Sequence, residues 1–273
     1  MAAPPNPTYC EGDTYVIPAL DDDVNHPLAD WAFDQLMSEV DWQEMHHRGG
    51  AVPRLVAVQT DIADGWTPLY RHPADGLPRE RPWTPAVDRL RQEIEQATGC
   101  KLNHALIQQY RSGDDFISEH ADKTLDIVPG SVIVNYSVGT ERTMLFRSKR
   151  KGPPGVPRPS CRVPLPHGST LVVGLRTNMA WTHSIPRNRG LRPSAHEQQA
   201  FNGARISLTF RSIGTFVSAD RTLIRGQGAG PVGADPVAVD EADSVAMLNA
   251  FSAENHKFEY DWHDIYGRGF RAL

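Results

Sequence analysis

The sequence predicts a mainly β fold with flanking helices (α+β), in which the strands form a sandwich or a closed barrel. Short segments rich in β-branched and aromatic residues follow one another from His104 onward, with glycine and proline between them. Two segments before His104 instead have the apolar spacing of amphipathic helices. Closely spaced strands are typical of packed sheets, and we expect the helices to buttress them from outside.

The first helix is predicted to begin near Pro27. Its apolar face consists of Leu28, Trp31, Ala32, Leu36 and Val40. The second helix has Thr84 as N-cap, Pro85 at its first position and Gly99 as its stop. Its apolar positions are Val87, Leu90, Ile94 and Ala97. Both helices therefore have one face that needs an apolar partner.

The strands are predicted from their composition and from the turn residues that bound them. They cover residues 105–110, 131–138, 143–147, 170–175 and Arg205–Arg211. Residues 149–155 are basic and rich in turn residues, and residues 187–199 form a polar insertion, so both are interpreted as loops. Either loop could act as a lid, because each lies beside predicted site residues.

The chain is expected to form one structural domain with three parts. Residues 1–103 would supply the helices and a segment, residues 48–83, that covers the pocket. Residues 104–216 would form the catalytic core. Residues 217–273 would be an extension, in which the glycine-rich residues 227–233 connect flexibly to a last helix around residues 244–251.

A metal site is indicated by two histidines and one carboxylate. His120 and Asp122 are two residues apart, so in an extended segment both side chains point to the same side. His183 follows later in a β-rich segment. Two imidazoles and one carboxylate on one face of a metal form the facial triad of non-haem Fe(II) oxygenases. Arg205, on the strand that comes next, offers a bidentate partner to a carboxylate, which points to a small dicarboxylate as co-substrate.

These motifs resemble the AlkB-like branch of the Fe(II)/2-oxoglutarate dioxygenases. The resemblance covers residues 53–216. Its strongest segments, in the order of the family, are residues 106–110 (LIQQY), 120–123 (HADK), 131–139 (SVIVNYSVG), 163–168 (VPLPHG) and Arg205–Arg211 (RISLTFR). The resemblance implies a double-stranded β-helix, or jelly roll, and a dioxygenase that uses Fe(II), 2-oxoglutarate and O₂.

The resemblance also implies roles for individual residues. His120, Asp122 and His183 would hold the iron, and Arg205 would bind the distal carboxylate of 2-oxoglutarate. Further contacts with 2-oxoglutarate would come from Arg211, Tyr110, Gln108, Asn135 and Ser207. Separately from the resemblance, Arg54, Tyr70, Lys123, Thr124 and Trp181 are candidate contacts with the substrate.

The substrate is predicted from two departures from the family. Nucleobase-repairing members carry an acidic residue shortly after the H-x-D motif, whereas this chain has Thr124 and Leu125 there. The formal net charge of −5 also differs from the basic excess typical of proteins that hold phosphate backbones. We therefore expect oxidation of a C–H bond in a small metabolite or biosynthetic intermediate, with release of succinate and CO₂. The alternative is oxidative dealkylation of bases in DNA or RNA.

Location is predicted from what the sequence lacks. It has no apolar run as long as a membrane span, and its first residues lack the regions of a signal peptide. The three cysteines are widely spaced and odd in number, which favours reduced thiols. We expect a soluble, cytoplasmic protein with no membrane partner, leaving the nucleus open. The oligomeric state is not determined by the sequence.

Overall fold

The computed structural model describes residues 7–21, 27–47, 50–73, 78–188 and 201–273. Most of the polar insertion at 187–199 lies outside these residues, as do residues 48–49 and 74–77 of the segment expected to cover the pocket. No helix in the described ranges is long and apolar enough to cross a membrane.

The main sheet has eight strands, each antiparallel to its neighbours. In spatial order they are β1 (Thr8–Tyr9), β2 (Thr14–Ile17), β11 (Thr170–Gly174), β8 (Val132–Gly139), β13 (Arg205–Arg211), β6 (His104–Tyr110), β4 (Gly50–Thr60) and β3 (Gln43–His47). The sheet thus takes strands from both sides of residue 104.

Two smaller antiparallel sheets complete the β structure. The first consists of β10 (Ser160–Leu165), β9 (Arg142–Ser148), β12 (Trp181–Ile185) and β7 (Ile117–His120). The second consists of β16 (Val237–Ala238), β15 (Leu223–Gly226), β14 (Thr215–Ser218) and β5 (Trp66–Pro68). A core cluster that includes Ile133, Phe146, Val163 and Leu171 joins the main sheet to the first of these. This pair of packed sheets is the predicted jelly roll.

The helices pack outside the sheets, as expected. α1 (Pro27–Glu39) and α2 (Pro85–Thr98) bury Leu36, Leu90 and Ile94 in a cluster with residues of the main sheet. The remaining helices are α3 (Leu175–Ala180), α4 (Ser244–His256) and α5 (Trp262–Tyr266), with a 3-10 turn at Glu241–Asp243.

The ends of α2 follow the sequence signals with two differences. Thr84 is the N-cap and Gly99 ends the helix in the left-handed region, at φ 68°. However, the Thr84 side chain makes no capping bond; its backbone N–H and its hydroxyl donate to Gln59 Oε1. Ala97, predicted on the apolar face, is exposed and Thr98 is buried, because position 98 continues the four-residue step from Ile94.

The first residues of the segment expected to form a flexible connection, 227–228, are buried, whereas residues 231–233 are exposed. Gln227 donates to the carbonyls of Leu125 and Ile127, and the Gly228 carbonyl accepts from Arg71. Arg71 is also bidentate to the buried carboxylate of Asp126. The expectation of a flexible connection at residues 227–228 was wrong, because composition does not report the long-range partners that fix a glycine-rich segment.

Candidate metal and co-substrate site

The two candidate histidines lie on neighbouring strands. His120 ends β7 and His183 lies in β12, and the antiparallel register pairs them directly. Their ring centroids are 4.4 Å apart. Asp122 Oδ1 lies 3.9 Å from His120 Nε2 and 3.8 Å from His183 Nε2. One ligand atom from each residue lies within 4.8 Å of the others, which is compatible with a single ion between them.

Hydrogen bonds fix the orientation of these three side chains. His120 Nδ1 is 2.8 Å from the Ser118 carbonyl, which leaves Nε2 to face the carboxylate. Asn178, on α3, exchanges two hydrogen bonds with the backbone of Asp122. Arg211 Nε donates to Asp122 Oδ2 at 2.9 Å, and Nη2 lies 2.8 Å from the same oxygen in an ion pair, so Oδ1 remains directed at the histidines.

The electrostatics of the triad suit a divalent cation. Burial lowers the pKa of His183 to about 3 and lowers the pKa of His120, so both imidazoles are neutral at pH 7. Burial alone would raise the pKa of Asp122, but Arg211 and the histidines hold it below its usual range. Two neutral imidazoles and one carboxylate are in the protonation states that metal ligation requires.

Arg205 lies at the first position of β13, and only 1% of its surface is exposed. Some of its hydrogen-bond donors have no partner among the described residues. Its Nη2 donates to Ser137 Oγ at 2.7 Å and to Asn135 Oδ1 at 3.1 Å. Its Nε and Nη1 are buried and have no partner in the described part of the chain. Burial lowers the pKa of this guanidinium to about 10. A buried cation with two unused donors fits a carboxylate ligand, because leaving both donors unpaired would be costly.

A cavity of about 350 Å³ contains both the triad and Arg205. Five other predicted co-substrate residues also line it: Arg211, Tyr110, Gln108, Asn135 and Ser207. Gln108 Nε2 is a further buried donor without a partner among the described residues. The orphaned donors and the triad together fit Fe(II) and 2-oxoglutarate.

Arg211 lines the cavity and also contacts a residue of the triad. An unbroken register along β13 places Arg205 and Arg211 on the same face. The Arg211 guanidinium nevertheless pairs with Asp122, and its Nη1 donates to the Thr209 carbonyl. Its hydrogen bonds therefore position a metal-site carboxylate.

The predicted substrate residues divide into two groups. Arg54, Tyr70 and Lys123 line the cavity. Thr124 and Trp181 are not among its described lining residues. Thr124 donates from its hydroxyl to Glu254 Oε1, and Trp181 Nε1 donates to Glu11.

The structure also brings distant residues to the site. Asn255, on α4, lines the cavity and accepts a hydrogen bond from Lys123 Nζ. Its neighbour Glu254 is fully buried and accepts from the Thr124 N–H. Neither has a sequence signal that links it to the H-x-D motif, because about 130 residues separate them. Lys149, predicted in a solvated loop, is buried and donates to the Glu254 carbonyl.

Known proteins resemble this chain over most of its length. The model of the 2OG-Fe(II) oxygenase superfamily matches residues 14–211. The human DNA oxidative demethylase ALKBH2 is 33% identical over 196 residues, which cover 68% of this chain and 69% of that protein. The human alpha-ketoglutarate-dependent dioxygenase alkB homolog 3 is 27% identical over 193 residues, 68% of this chain and 62% of that protein.

A solved structure, that of OsALKBH1, has the same fold. It superposes with a TM-score of 0.51 at 14% identity, covering 75% of this chain and 100% of that chain.

These relatives correct the predicted substrate. A small molecule was favoured as substrate and partner, whereas the relatives named ALKBH2 are DNA demethylases. That prediction was wrong. A net charge of −5 averages over the whole surface and does not describe the charge at one cavity. A missing acidic residue at one position also does not determine what other elements place there.

Proposed function

This chain belongs to the AlkB-like branch of the 2OG-Fe(II) oxygenase superfamily, and we propose that it removes alkyl groups oxidatively from bases of nucleic acid, DNA above all. It is a non-haem dioxygenase that uses Fe(II), 2-oxoglutarate and O₂. The observation that carries the proposed substrate is the 33% identity with a DNA oxidative demethylase over 196 residues.

His120, Asp122 and His183 would hold the iron. When bound, the iron and 2-oxoglutarate together use O₂ to oxidise a substrate C–H bond, with release of succinate and CO₂. Asp122 would bring the negative charge, Arg211 would keep its carboxylate ionised, and Asn178 would hold its backbone. The protein's share of the reaction is ligand geometry and the exclusion of water.

Arg205 would bind the distal carboxylate of 2-oxoglutarate through its unused Nε and Nη1. Asn135 and Ser137 would orient the guanidinium by accepting from Nη2. Gln108, Tyr110 and Ser207 line the same cavity and would complete the binding site. The fully buried position of Arg205 strengthens its attraction for a carboxylate.

The substrate would enter on the side of Arg54, Tyr70 and Lys123. Tyr70 lies under the Arg211 guanidinium, with 4.2 Å from Cζ to the ring centroid, and its hydroxyl accepts from the Lys123 N–H. Hydroxylation of an alkyl carbon attached to a ring nitrogen gives a hemiaminal. The hemiaminal then loses an aldehyde, and the proton on its oxygen passes to the ring nitrogen. We place this reaction in an intracellular compartment that holds the nucleic acid, and we propose residues 104–216 as its catalytic core.

The test is turnover of methylated single- and double-stranded oligonucleotides by the iron-loaded enzyme. Formaldehyde and succinate should appear in equal amounts and should depend on the methyl group, with unmethylated oligonucleotides as the matched control. Methylated oligonucleotides that leave succinate production at its substrate-free level would contradict the proposal.

A further inference from the structure

We propose that the substrate side of this cavity is lined by hydrogen-bond donors, Arg54, Lys123 and Asn255, and therefore selects neutral alkylated bases that present a carbonyl oxygen beside the alkylated nitrogen. The inference rests on the proposed function and specifies its substrate class. Preferred lesions would be N1-methylguanine and N3-methylthymine, and the disfavoured lesion would be N1-methyladenine.

Asn255 presents its amide N–H₂ as the uncommitted end. Its Oδ1 accepts from Lys123 Nζ and, at 3.4 Å, from the backbone N–H of Ala121. Both partners are obligate donors, so the oxygen must face them and Nδ2 must face the other way. Nδ2 makes no hydrogen bond with the described residues, and Asn255 lines the cavity.

Lys123 is held in place by the C-terminal extension. Its side chain is 3% exposed, with Nζ bonded to Asn255 and 3.9 Å from Glu254 Oε2. Glu254 is in turn fixed by the hydroxyls of Tyr260 and Tyr266, at 2.7 and 2.6 Å. An ammonium group has three protons and no acceptor, so Lys123 can only donate to a ligand.

Arg54 contributes a third donor group. It is 6% exposed and lines the cavity, with Nη1 bonded to the Phe116 carbonyl at 3.1 Å. Its buried Nε has no partner among the described residues. An unpaired donor of this kind favours a ligand that brings an acceptor.

The carboxylates on the cavity wall already have partners. Among its described lining residues, only Glu119 and Asp122 are carboxylates. Glu119 accepts from Arg147, Arg158 and Thr182. Asp122 accepts from Arg211 and faces the two histidines. An exocyclic amino group would find no uncommitted carboxylate on this wall.

Methylated bases differ in the groups that they would present to these hydrogen-bond donors. N3-methylthymine has carbonyls on both sides of the methylated nitrogen and therefore fits best. N1-methylguanine has a carbonyl on one side and an amino group on the other, so only one of its edges matches the donors. N1-methyladenine has an amino group in place of the carbonyl, and it carries a positive charge at neutral pH. Arg54 and Lys123 are buried cations and repel a cationic base. Neither side chain can accept a hydrogen bond from the amino group of that base.

The experiment compares oligonucleotides of one sequence that differ only in the methylated base. The wild-type enzyme should have kcat/KM values at least about tenfold higher for N1-methylguanine and N3-methylthymine than for N1-methyladenine. Asn255→Asp replaces Nδ2 with an acceptor at nearly constant volume and pairs with Lys123. It should lower that ratio by at least about tenfold. Val245→Ala, a 71% exposed position on the same helix, should leave the ratio unchanged.

The outcomes separate this inference from the proposed function. Three results would overturn the inference but not the proposed function. These are a higher kcat/KM for N1-methyladenine, equal kcat/KM values for all methylated bases, and a kcat/KM ratio that Asn255→Asp leaves unchanged. No turnover of any methylated base overturns both. If Asn255→Asp fails to fold, Asn255→Ser should also reduce the preference, because it removes the same donor.

Discussion

Asp122 is the residue through which the two halves of the site are connected. One carboxylate oxygen faces His120 and His183, and the other accepts a hydrogen bond from Arg211 Nε and forms an ion pair with its Nη2. Burial alone raises the pKa of a carboxylate and so favours its protonated form. Arg211 therefore keeps Asp122 ionised, and Asp122 is the only negatively charged member of the triad.

Removing any member of the triad should abolish turnover without unfolding the protein. In His120→Ala, Asp122→Ala and His183→Ala, Fe(II) binding should weaken by at least about 100-fold, since even an indirect contact with a ligand is worth 10- to 100-fold. Fe(II) titration and thermal unfolding measure the two effects. His256→Ala, an exposed histidine, is the control. Full activity in an iron-replete triad variant would remove that residue from the site.

Arg205→Ala should raise the concentration of 2-oxoglutarate needed for half-maximal rate by at least about thirtyfold. Losing a charge-assisted contact to a buried partner costs on the order of 2–5 kcal/mol. Arg205→Lys should recover part of the loss, because an ammonium cannot reproduce the guanidinium fork. Arg176→Lys, with its side chain 74% exposed, is the control. An unchanged requirement in Arg205→Ala would locate the carboxylate site elsewhere in the cavity.

The free energy of unfolding should increase as the pH rises from about 8 to 10, because the buried Lys149 loses its charge in this range. Burial lowers the pKa of Lys149 to about 8, whereas an unfolded lysine titrates near 10.4. The unfolded chain therefore binds more protons in this window, and folding becomes more favourable as the pH increases. Below pH 8 the full penalty of the buried charge is present.

Lys149→Met removes that penalty. It should raise the free energy of unfolding at pH 7 by about 1–3 kcal/mol, and the difference from wild type should shrink toward pH 10. Urea unfolding at pH 7, 8.5 and 10 measures it. A constant difference across these pH values would show that Lys149 is not the titrating group.

At the scale of elements, the C-terminal helix is part of the cavity wall. α4 contributes Asn255 to the cavity and packs Met247 and Phe251 against Leu125, which follows the H-x-D motif. Glu254 joins the two segments by accepting from the backbone and hydroxyl of Thr124. The extension therefore supports the strand end that carries His120.

Glu254→Gln should destabilise the protein by about 1–3 kcal/mol. The amide has one oxygen, and its N–H₂ group would face a hydroxyl that now donates to the carboxylate. Chemical unfolding measures the loss. Glu259→Gln, an exposed position in the same extension, should have no measurable effect. Equal stability of the two variants would mean that the buried carboxylate contributes nothing net.

At the scale of the whole molecule, the acidic net charge and the proposed nucleic-acid substrate are reconciled by local charge. The formal net charge is −5, but exposed cations cluster after β9, among them Arg150, Lys151 and Arg158. Arg158 pairs with Glu119, which lines the cavity. The proposed substrate would therefore meet positive charge near the cavity in spite of the acidic net charge.

The KM for a methylated oligonucleotide should rise with salt, whereas the KM for a short methylated nucleoside should not. The Arg150→Ala/Lys151→Ala double variant should lower the slope of log KM against log salt by about 1–2 and weaken all sequences alike. Arg89→Ala, on α2 outside the main sheet, is the control. Salt-independent oligonucleotide turnover would contradict phosphate binding at this cluster.

Local patterns determined much of the protein. The two-residue spacing of His120 and Asp122, the alternation from Arg205 to Arg211 and the limits of α2 were all readable from the sequence, because they depend on backbone geometry over a few residues. The same patterns predicted the family, and the family predicted the jelly roll, the iron and the co-substrate.

Long-range packing decided the rest. Three contacts join segments that are 89 to 132 residues apart: Arg211 with Asp122, Lys149 with Glu254, and Asn255 with Lys123. The sequence has no local signal for such contacts, because their energy comes from burial and hydrogen bonding that exist only after the chain has folded. The prediction of a small-molecule substrate failed for the same reason. It rested on an average charge and one missing residue, whereas recognition depends on which groups the folded chain assembles around the cavity.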